Sequence, residues 1–164
     1  MAYSTTTYSA QFAYRLIDSL QTFLEASTAT ALAEIDSSLT DFKDYRTPTP
    51  IILNFPALFI STGGVVMEQS DDDSHIRSQT EFYIDIAVDG KDAYTLQRTI
   101  LKYVLAVDRI LRTMTVADLI TATSSTVSEP IWEVTEHQFG VLRENDTIYR
   151  IDARIILIVQ MLER

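Results

Sequence analysis

Hydrophobic and polar residues alternate most regularly in the last stretch of the chain, from Thr147 to Glu163. A period of two, with many β-branched residues and no Gly or Pro, predicts a long β-strand. One face of this strand is apolar throughout, which predicts a central strand covered by helices on that side. The apolar positions are Tyr149, Ile151, Ala153, Ile155, Leu157, Val159 and Met161.

The opposite face of the same strand begins charged and then becomes apolar. Arg150, Asp152 and Arg154 are followed by Ile156 and Ile158. One small domain does not need a strand with two partly apolar faces. This face is therefore a candidate subunit interface, in which the charges form the polar rim and the isoleucines the apolar centre.

A second explanation of the charged positions stays open. Glu133 and Glu136 lie on the preceding predicted strand and are candidates for pairing with those charges across the sheet. Trp132, at the start of that strand, is either a core residue or an anchor of the interface.

A helical spacing of apolar residues begins near Ser9 and predicts an N-terminal helix after a loose arm of residues 1–8. No Gly or Pro interrupts the chain as far as Asp36. The pattern leaves open whether this is one helix or two, with a break at Ser27-Thr28. The stripe consists of Phe12, Leu16, Leu20, Phe23 and Leu24.

A second helix is predicted from Lys91 to Arg112, after the strand-breaking Asp89-Gly90. Its basic residues Arg98, Lys102 and Arg109 lie roughly on one side. They are either solvated or in contact with an acidic patch on a neighbour. The predicted apolar face of this helix is broad and comprises Tyr94, Ile100, Leu101, Val104, Leu105, Val107 and Leu111.

Three further strands are predicted. The first runs from Ala57 to Thr62 and follows Pro56, which indicates either an edge strand or a strand that starts there. The second runs from Thr80 to Val88, and residues 65–79 between them form a long polar hairpin tip. The third runs from Ile131 to Val141. Two hairpins separated by a helix predict an α+β fold, a four-stranded, mainly antiparallel sheet with both helices on one face.

Composition narrows the class of protein. With 164 residues, 46% of them hydrophobic and 22% charged, the chain is expected to form a single domain, 1–164. Its net charge of −10 argues against a free-standing nucleic-acid binder, because such proteins neutralise phosphates with Lys and Arg. There is no cysteine, no secretory signal pattern and no apolar run long enough to cross a membrane. We therefore expect a cytoplasmic protein without membrane contact.

The chain offers little material for catalysis. Its two histidines, His75 and His137, are interpreted as surface residues, and Gly63-Gly64 lacks the pattern of a phosphate-binding loop. The run Asp71-Asp72-Asp73 lacks the spacing of a calcium loop. It is interpreted as a solvated tip or as an acidic tip that repels a passing polyanion. We predict no catalytic residue, metal or cofactor; the alternative is a small α+β ligand-binding module or enzyme without a recognisable motif.

The order of these elements resembles that of the tail terminator, or tail completion, proteins of long-tailed bacteriophages. The resemblance covers roughly residues 9–163 and depends on element order and texture rather than on an invariant motif. The stretches that carry it are NFPALFISTGG, FYIDIAVDG, KDAYTLQRTILKYVLAVDRIL and YRIDARIILIVQML.

This resemblance implies a structural virion protein that assembles into a homohexameric ring. The ring would cap the tail tube, end its polymerisation and take part in head–tail joining, with the tail-tube protein and the head and neck connector proteins as partners. DNA would pass through the lumen without specific binding. The family implies no catalytic residues, and assembly would take place in the host cytoplasm before incorporation into the virion.

Overall fold

The structure, a computed structural model, describes residues 5–45, 52, 54–69, 76–119 and 130–163. Three helices and five strands follow one another along these residues. They are α1 (Thr5–Ile35), β1 (Ala57–Gln69), β2 (Ile76–Gly90), α2 (Ala93–Thr113), α3 (Val116–Leu119), β3 (Ile131–Phe139), β4 (Arg143–Asn145) and β5 (Ile148–Glu163).

The strands form one antiparallel sheet in the order β1-β2-β5-β3, and β4 pairs with β5 beyond the end of β3. The predicted α+β class, the two hairpins and the central position of the last strand are confirmed. The fifth strand arises because residues 140–142 interrupt the pairing of the β3–β5 hairpin. There the amide of Gly140 donates to the carbonyl of Asp152 at 2.8 Å.

One face of the sheet packs against α1 and α2 and forms the main core. Every second residue of β5 contributes to it, from Ile151 to Met161, as the alternation predicts. The facing positions of β2 are equally buried. The fully buried large side chains are Phe82, Leu16, Leu20, Leu24, Leu32, Leu58, Ile84, Ile86, Ile100, Leu111, Ile155 and Leu157.

Helix α1 is continuous through Ser27 and Thr28, where the sequence left a break open. Thr28 is completely buried, and its hydroxyl donates to Asp41 Oδ1 at 2.7 Å and lies 2.6 Å from the hydroxyl of Tyr45. A polar residue inside the helix is therefore satisfied by the following loop, and no break is needed. The helix begins at Thr5, inside the predicted arm of residues 1–8.

The β1–β2 hairpin is longer than predicted. Its ladder continues to the pair Gln69↔Ile76, so most of the predicted tip of residues 65–79 is strand. Polar residues occupy these strands because their outward side chains reach water, whereas Ser78 and Thr80 face inward and are buried. Backbone pairing without an apolar repeat leaves no periodic signal in the sequence. Asp71, Asp72, Asp73 and His75 lie outside the described residues.

Candidate subunit interface on the outer face of the sheet

The outer face is the side of the sheet opposite the helices. The strand register defines its members, because residues that pair directly point to the same side. None of its large apolar side chains belongs to the core that the helices share. Ala57 and Ala87 also lie on this face, where they pack with Ile52 and Phe55. The other residues of the face include Phe59, Ser61, Val66, Glu81, Tyr83, Asp85, Ile131, Glu133, Glu136, Gln138, Arg150, Asp152, Arg154, Ile156, Ile158 and Gln160.

An arginine–carboxylate pair organises the centre of the outer face. Arg154 Nε donates to Asp85 Oδ1 at 2.7 Å, and its Nη2 donates to Asp85 Oδ2 at 3.0 Å. This two-point hydrogen bond raises the pKa of Arg154. The guanidinium also lies 4.4 Å from the centre of the Tyr83 ring. The three side chains therefore hold one another across the β2–β5 pair.

Arg150 and Asp152 pair within their own strand. Arg150 Nε donates to Asp152 Oδ1 at 2.9 Å, and the guanidinium lies 5.0 Å from the ring centre of Phe55. Of the two explanations left open, cross-strand pairing occurs for Arg154, but with Asp85 on β2 and not with Glu133 or Glu136 on β3. In the register of β3 with β5, those glutamates lie beside Ile158 and Ile156 instead.

The apolar part of the outer face lies next to these charges. Ile156 is 8% exposed and Ile158 is half-buried, and their neighbours on β2 are Tyr83 and Glu81. The structure thus brings together five of the predicted interface residues, a charged half followed by an apolar half along β5. That this surface binds another subunit stays a prediction.

Trp132, the sixth interface candidate, lies on the other side of the sheet. Its indole Nε1 donates to the carbonyl of Leu111 near the end of α2 at 3.1 Å, and its ring packs against the main core. Trp132 therefore joins β3 to α2 as a core residue and is not part of the candidate interface.

A shallow depression of about 260 Å³ lies at the charged end of the outer face. Among its polar side chains, Asp85 pairs with Arg154, and Asp152 pairs with Arg150. Gly140 packs closely on the strand β5, because a Cβ at this glycine would lie 3.0 Å from the Asp152 carbonyl oxygen. The lining consists of Asp85, Gln138, Phe139, Gly140, Arg143, Asp152, Ala153 and Arg154.

The basic residues of α2 were expected to be solvated or to meet an acidic patch on a neighbour. Two of them bind acidic residues at the end of α1 in the same chain. Lys102 pairs with Asp36, and Arg109 Nη1 lies 2.8 Å from Glu34 Oε2. These ion pairs tie the two helices together.

His137 was interpreted as a strand surface residue, and it points towards α2. Its Nε2 lies 3.0 Å from Oδ1 of Asp108, whose Oδ2 accepts from Arg112 Nε at 2.8 Å. Burial raises the pKa of Asp108, but the hydrogen bonds from Arg112 and His137 outweigh it and the net pKa is lowered. This carboxylate therefore fixes β3 against α2.

Tyr83 packs over Gly63, the extra residue of a bulge in β1. A Cβ at Gly63 would lie 2.4 Å from Tyr83 Cζ, whereas a Cβ at Gly64 meets nothing within 4 Å. Neither glycine has a positive φ, so alanine suits the backbone at both positions. The two positions differ only in the space above them.

We expect Gly63→Ala to destabilise the fold by about 1 kcal/mol, because it moves the Tyr83 ring away from Arg154 and weakens a cation–π contact. Gly64→Ala is the matched control and should be neutral or stabilising by a few tenths of a kcal/mol, since alanine restricts the unfolded chain. Urea unfolding of both variants measures the difference. Equal stabilities of the two variants would show that the contact between residue 63 and the Tyr83 side chain does not affect the free energy of unfolding.

Acid should weaken the connection between α1 and α2. The hydrogen bond from Lys102, together with those from Ser38, holds the pKa of Asp36 well below its ordinary value. Between the lowered folded pKa and an unfolded pKa of about 3.9, the unfolded chain binds more protons. The contribution of Asp36 to stability is therefore complete above the unfolded pKa and is lost as the pH falls through the folded one.

Asp36→Asn removes this contribution at every pH. We expect its melting temperature to lie below that of the parent chain at pH 7 and to converge with it as the pH falls below about 3. Lys102→Met should give the same convergence, since it removes the other partner. Scanning calorimetry from pH 7 to pH 2.5 makes the comparison, and a constant gap across that range would rule out the Asp36 linkage.

Sequence reasoning missed one surface, on α2. Tyr94, Leu101 and Leu105 were assigned to the buried face of this helix, but they are 65%, 53% and 55% exposed. The buried positions of α2 include Leu96, Tyr103 and Ile110 instead. Tyr94, Leu101 and Leu105 are separated by seven and four residues, and this spacing in the sequence indicates that they lie together on one side of the helix.

Two negative findings concern the part of the chain that the structure describes. Within it, no three His, Cys, Asp or Glu side chains are grouped so that they hold a metal ion. Within the same residues, no helix has the length and apolar character needed to span a membrane.

No protein-family model matches the chain, and no curated protein matches it. The structure is similar to a chain in the virion of a native gene transfer agent particle. The TM-score is 0.46 with 16% sequence identity, over 94% of this chain and 99% of that one. Likeness at this level leaves the role of the chain to be inferred from its own residues.

Proposed function

We propose that this protein is a structural component of a phage-type virion, a tail terminator whose copies form a hexameric ring. The ring caps the tail tube, ends its polymerisation and offers a surface for joining the head. DNA passes through its lumen. The proposal starts from the element order, which resembles that of tail terminators, and the sheet supports it.

The observation that carries the proposal is the outer face of the sheet. Among the described residues, no helix covers this face, although Ile156, Ile158 and Phe59 lie in it beside charged pairs. A surface with an apolar centre and a polar rim is the composition of a subunit interface. Ile156 is already buried within the chain, so association of copies through this face would cover the half-buried Ile158 and Phe59.

The net charge of the chain supports the proposal that DNA passes through the lumen of the ring. A net charge of −10 repels a polyanion, so a lumen lined by such subunits guides DNA without holding it. Binding of the ring to DNA should be weak even at low salt, where contacts to phosphates are strongest.

The test uses the tail-tube protein of the same virus. Polymerisation of this protein in the presence of the purified chain should give tubes with a ring at one end and with a shorter mean length, seen by negative-stain microscopy. Ile158→Asp, which places a charge in the apolar centre, should leave the ends bare. If the parent chain leaves tube ends bare and tube lengths unchanged, the terminator function is refuted.

A further inference from the structure

The exposed apolar side chains of α2 form a continuous stripe. Tyr94, Leu101 and Leu105 follow one another at intervals of seven and four residues, and Arg98 lies between them with its guanidinium 5.0 Å from the Tyr94 ring centre. Residues at this spacing occupy one side of a helix. We call these four residues, together with Arg112 two turns beyond Leu105, the helix stripe.

The direction of the helix stripe follows from helix geometry. The buried positions of α2 include Leu96, Ile100, Tyr103, Val104, Val107, Ile110 and Leu111. At 3.6 residues per turn, the three apolar residues of the stripe lie roughly 140° from the centre of this buried set. The stripe is therefore separate from the core and also from the outer face, which lies on the far side of the sheet.

We propose that the helix stripe of one copy docks on the outer face of the next copy in the ring. This inference rests on the proposed function, because it names the partner of the face on which that function depends. The contact is head-to-tail: two different surfaces of the same chain meet, and each copy contributes one of them to each neighbour.

Charge complementarity selects the second copy as the occupant. On α2, Lys102, Arg109 and Arg112 pair with Asp36, Glu34 and Asp108 of the same chain. Arg98, beside Tyr94, gives the helix stripe its positive charge. On the outer face, Arg150 and Arg154 are paired with Asp152 and Asp85. The remaining charges around Ile156 and Ile158 are acidic and come from Glu81, Glu133 and Glu136.

Apolar residues match as well. The helix stripe offers two leucines and a tyrosine between arginines, and the outer face offers two isoleucines between carboxylates. Complementary charge around an apolar centre sets the register of an interface and disfavours wrong partners. An outer face that met another outer face would bring like charges together, so contact between identical surfaces is disfavoured.

Cross-linking tests the contact directly, because the chain has no native cysteine. Leu105→Cys and Ile158→Cys are combined in one chain, in which the sheet separates the two positions. A short bis-maleimide cross-linker should then give a ladder of species from dimer up to the closed ring on a denaturing gel. Leu105→Cys combined with Asp18→Cys, an exposed position on α1, is the matched control and should give no ladder.

The reaction is run where light scattering finds multimers of the parent chain, or on capped ends of tail tubes. Multimers that form no ladder with the double variant would overturn the docking and leave the ring proposal standing. A chain that multimerises neither alone nor on tubes would overturn both. A ladder with the control pair instead of the designed pair would place the contact on α1.

A mixture of two variants, each altered in one of the two surfaces, gives a second, independent test. Leu101→Asp damages only the helix stripe, and Ile158→Asp damages only the outer face. Each variant alone should remain a monomer, with association at least about tenfold weaker than in the parent chain. Their mixture retains one intact contact and should give dimers but no larger species. Normal rings from Leu101→Asp alone would contradict the proposal.

Discussion

Leu157→Ala is expected to destabilise the fold by about 2–5 kcal/mol, because it empties space in the centre of the main core. Leu157 has no exposed surface and lies on β5 between β2 and β3, under the helices. The neighbouring Ile158→Ala is the matched control. Its side chain lies on the outer face and is half-buried, so its loss should cost the monomer less than about 1 kcal/mol.

The two variants separate folding from assembly. Urea unfolding at a concentration where the chain is monomeric should report the large loss for Leu157→Ala and the small one for Ile158→Ala. Light scattering at high concentration should show the opposite order for association. Folded Ile158→Ala should form rings less readily than folded Leu157→Ala. A large loss of monomer stability with Ile158→Ala would mean that the outer face is core.

Arg154→Ala is expected to destabilise the chain by about 1–3 kcal/mol, since it leaves the carboxylate of Asp85 without its two-point partner. Asp85 is the less exposed member, with 14% of its side chain accessible against 39% for Arg154. Water reaches the arginine and screens part of the attraction, which keeps the effect at the lower end of that range.

A double-mutant cycle with Asp85→Ala isolates the pair. The two single losses should exceed the loss of the double variant by about 1 kcal/mol, because removing both charges leaves no carboxylate to be solvated. Thermal unfolding in low salt provides the four stabilities. A coupling energy within about 0.3 kcal/mol of zero would mean that the pair lies on the surface without stabilising it.

The alternation in β5 predicted its central place because the physical cause is local: side chains on a strand point to alternate sides, and one side is buried throughout. The same logic failed for residues 65–79. Residues 65–69 and 76–79 belong to two strands that are paired through their backbones, and their side chains show no regular alternation of apolar and polar positions. Ser78 and Thr80 are buried although their residue types indicate exposure.

The candidate interface was predictable in part. The sequence of β5 contains both its charged and its apolar half, since all five residues come from one strand face. Their partners are non-local, and no pattern in the sequence places Asp85 beside Arg154, 69 residues away. For Trp132 the sequence left both the core and the interface open, and its pairing with Val159 together with the packing of α2 places it in the core.

The helix stripe shows a different limit of sequence reasoning. Apolar residues on more than a third of a helix surface fit both a wide buried face and two separate faces, one of which binds another chain. The packing of α1 against α2, fixed by Lys102 with Asp36 and Arg109 with Glu34, decides between them. Those ion pairs connect α1 with α2, and Tyr94, Leu101 and Leu105 stay in solvent.

The mass of the protein across a wide concentration range tests the central claim most directly. Light scattering combined with negative-stain images of the heaviest species should find closed rings of about six copies, each of 18.6 kDa, either alone or after addition of tail-tube protein. A chain that stays at 18.6 kDa under both conditions and binds no tube would contradict the account. The outer face would then be an ordinary solvated surface.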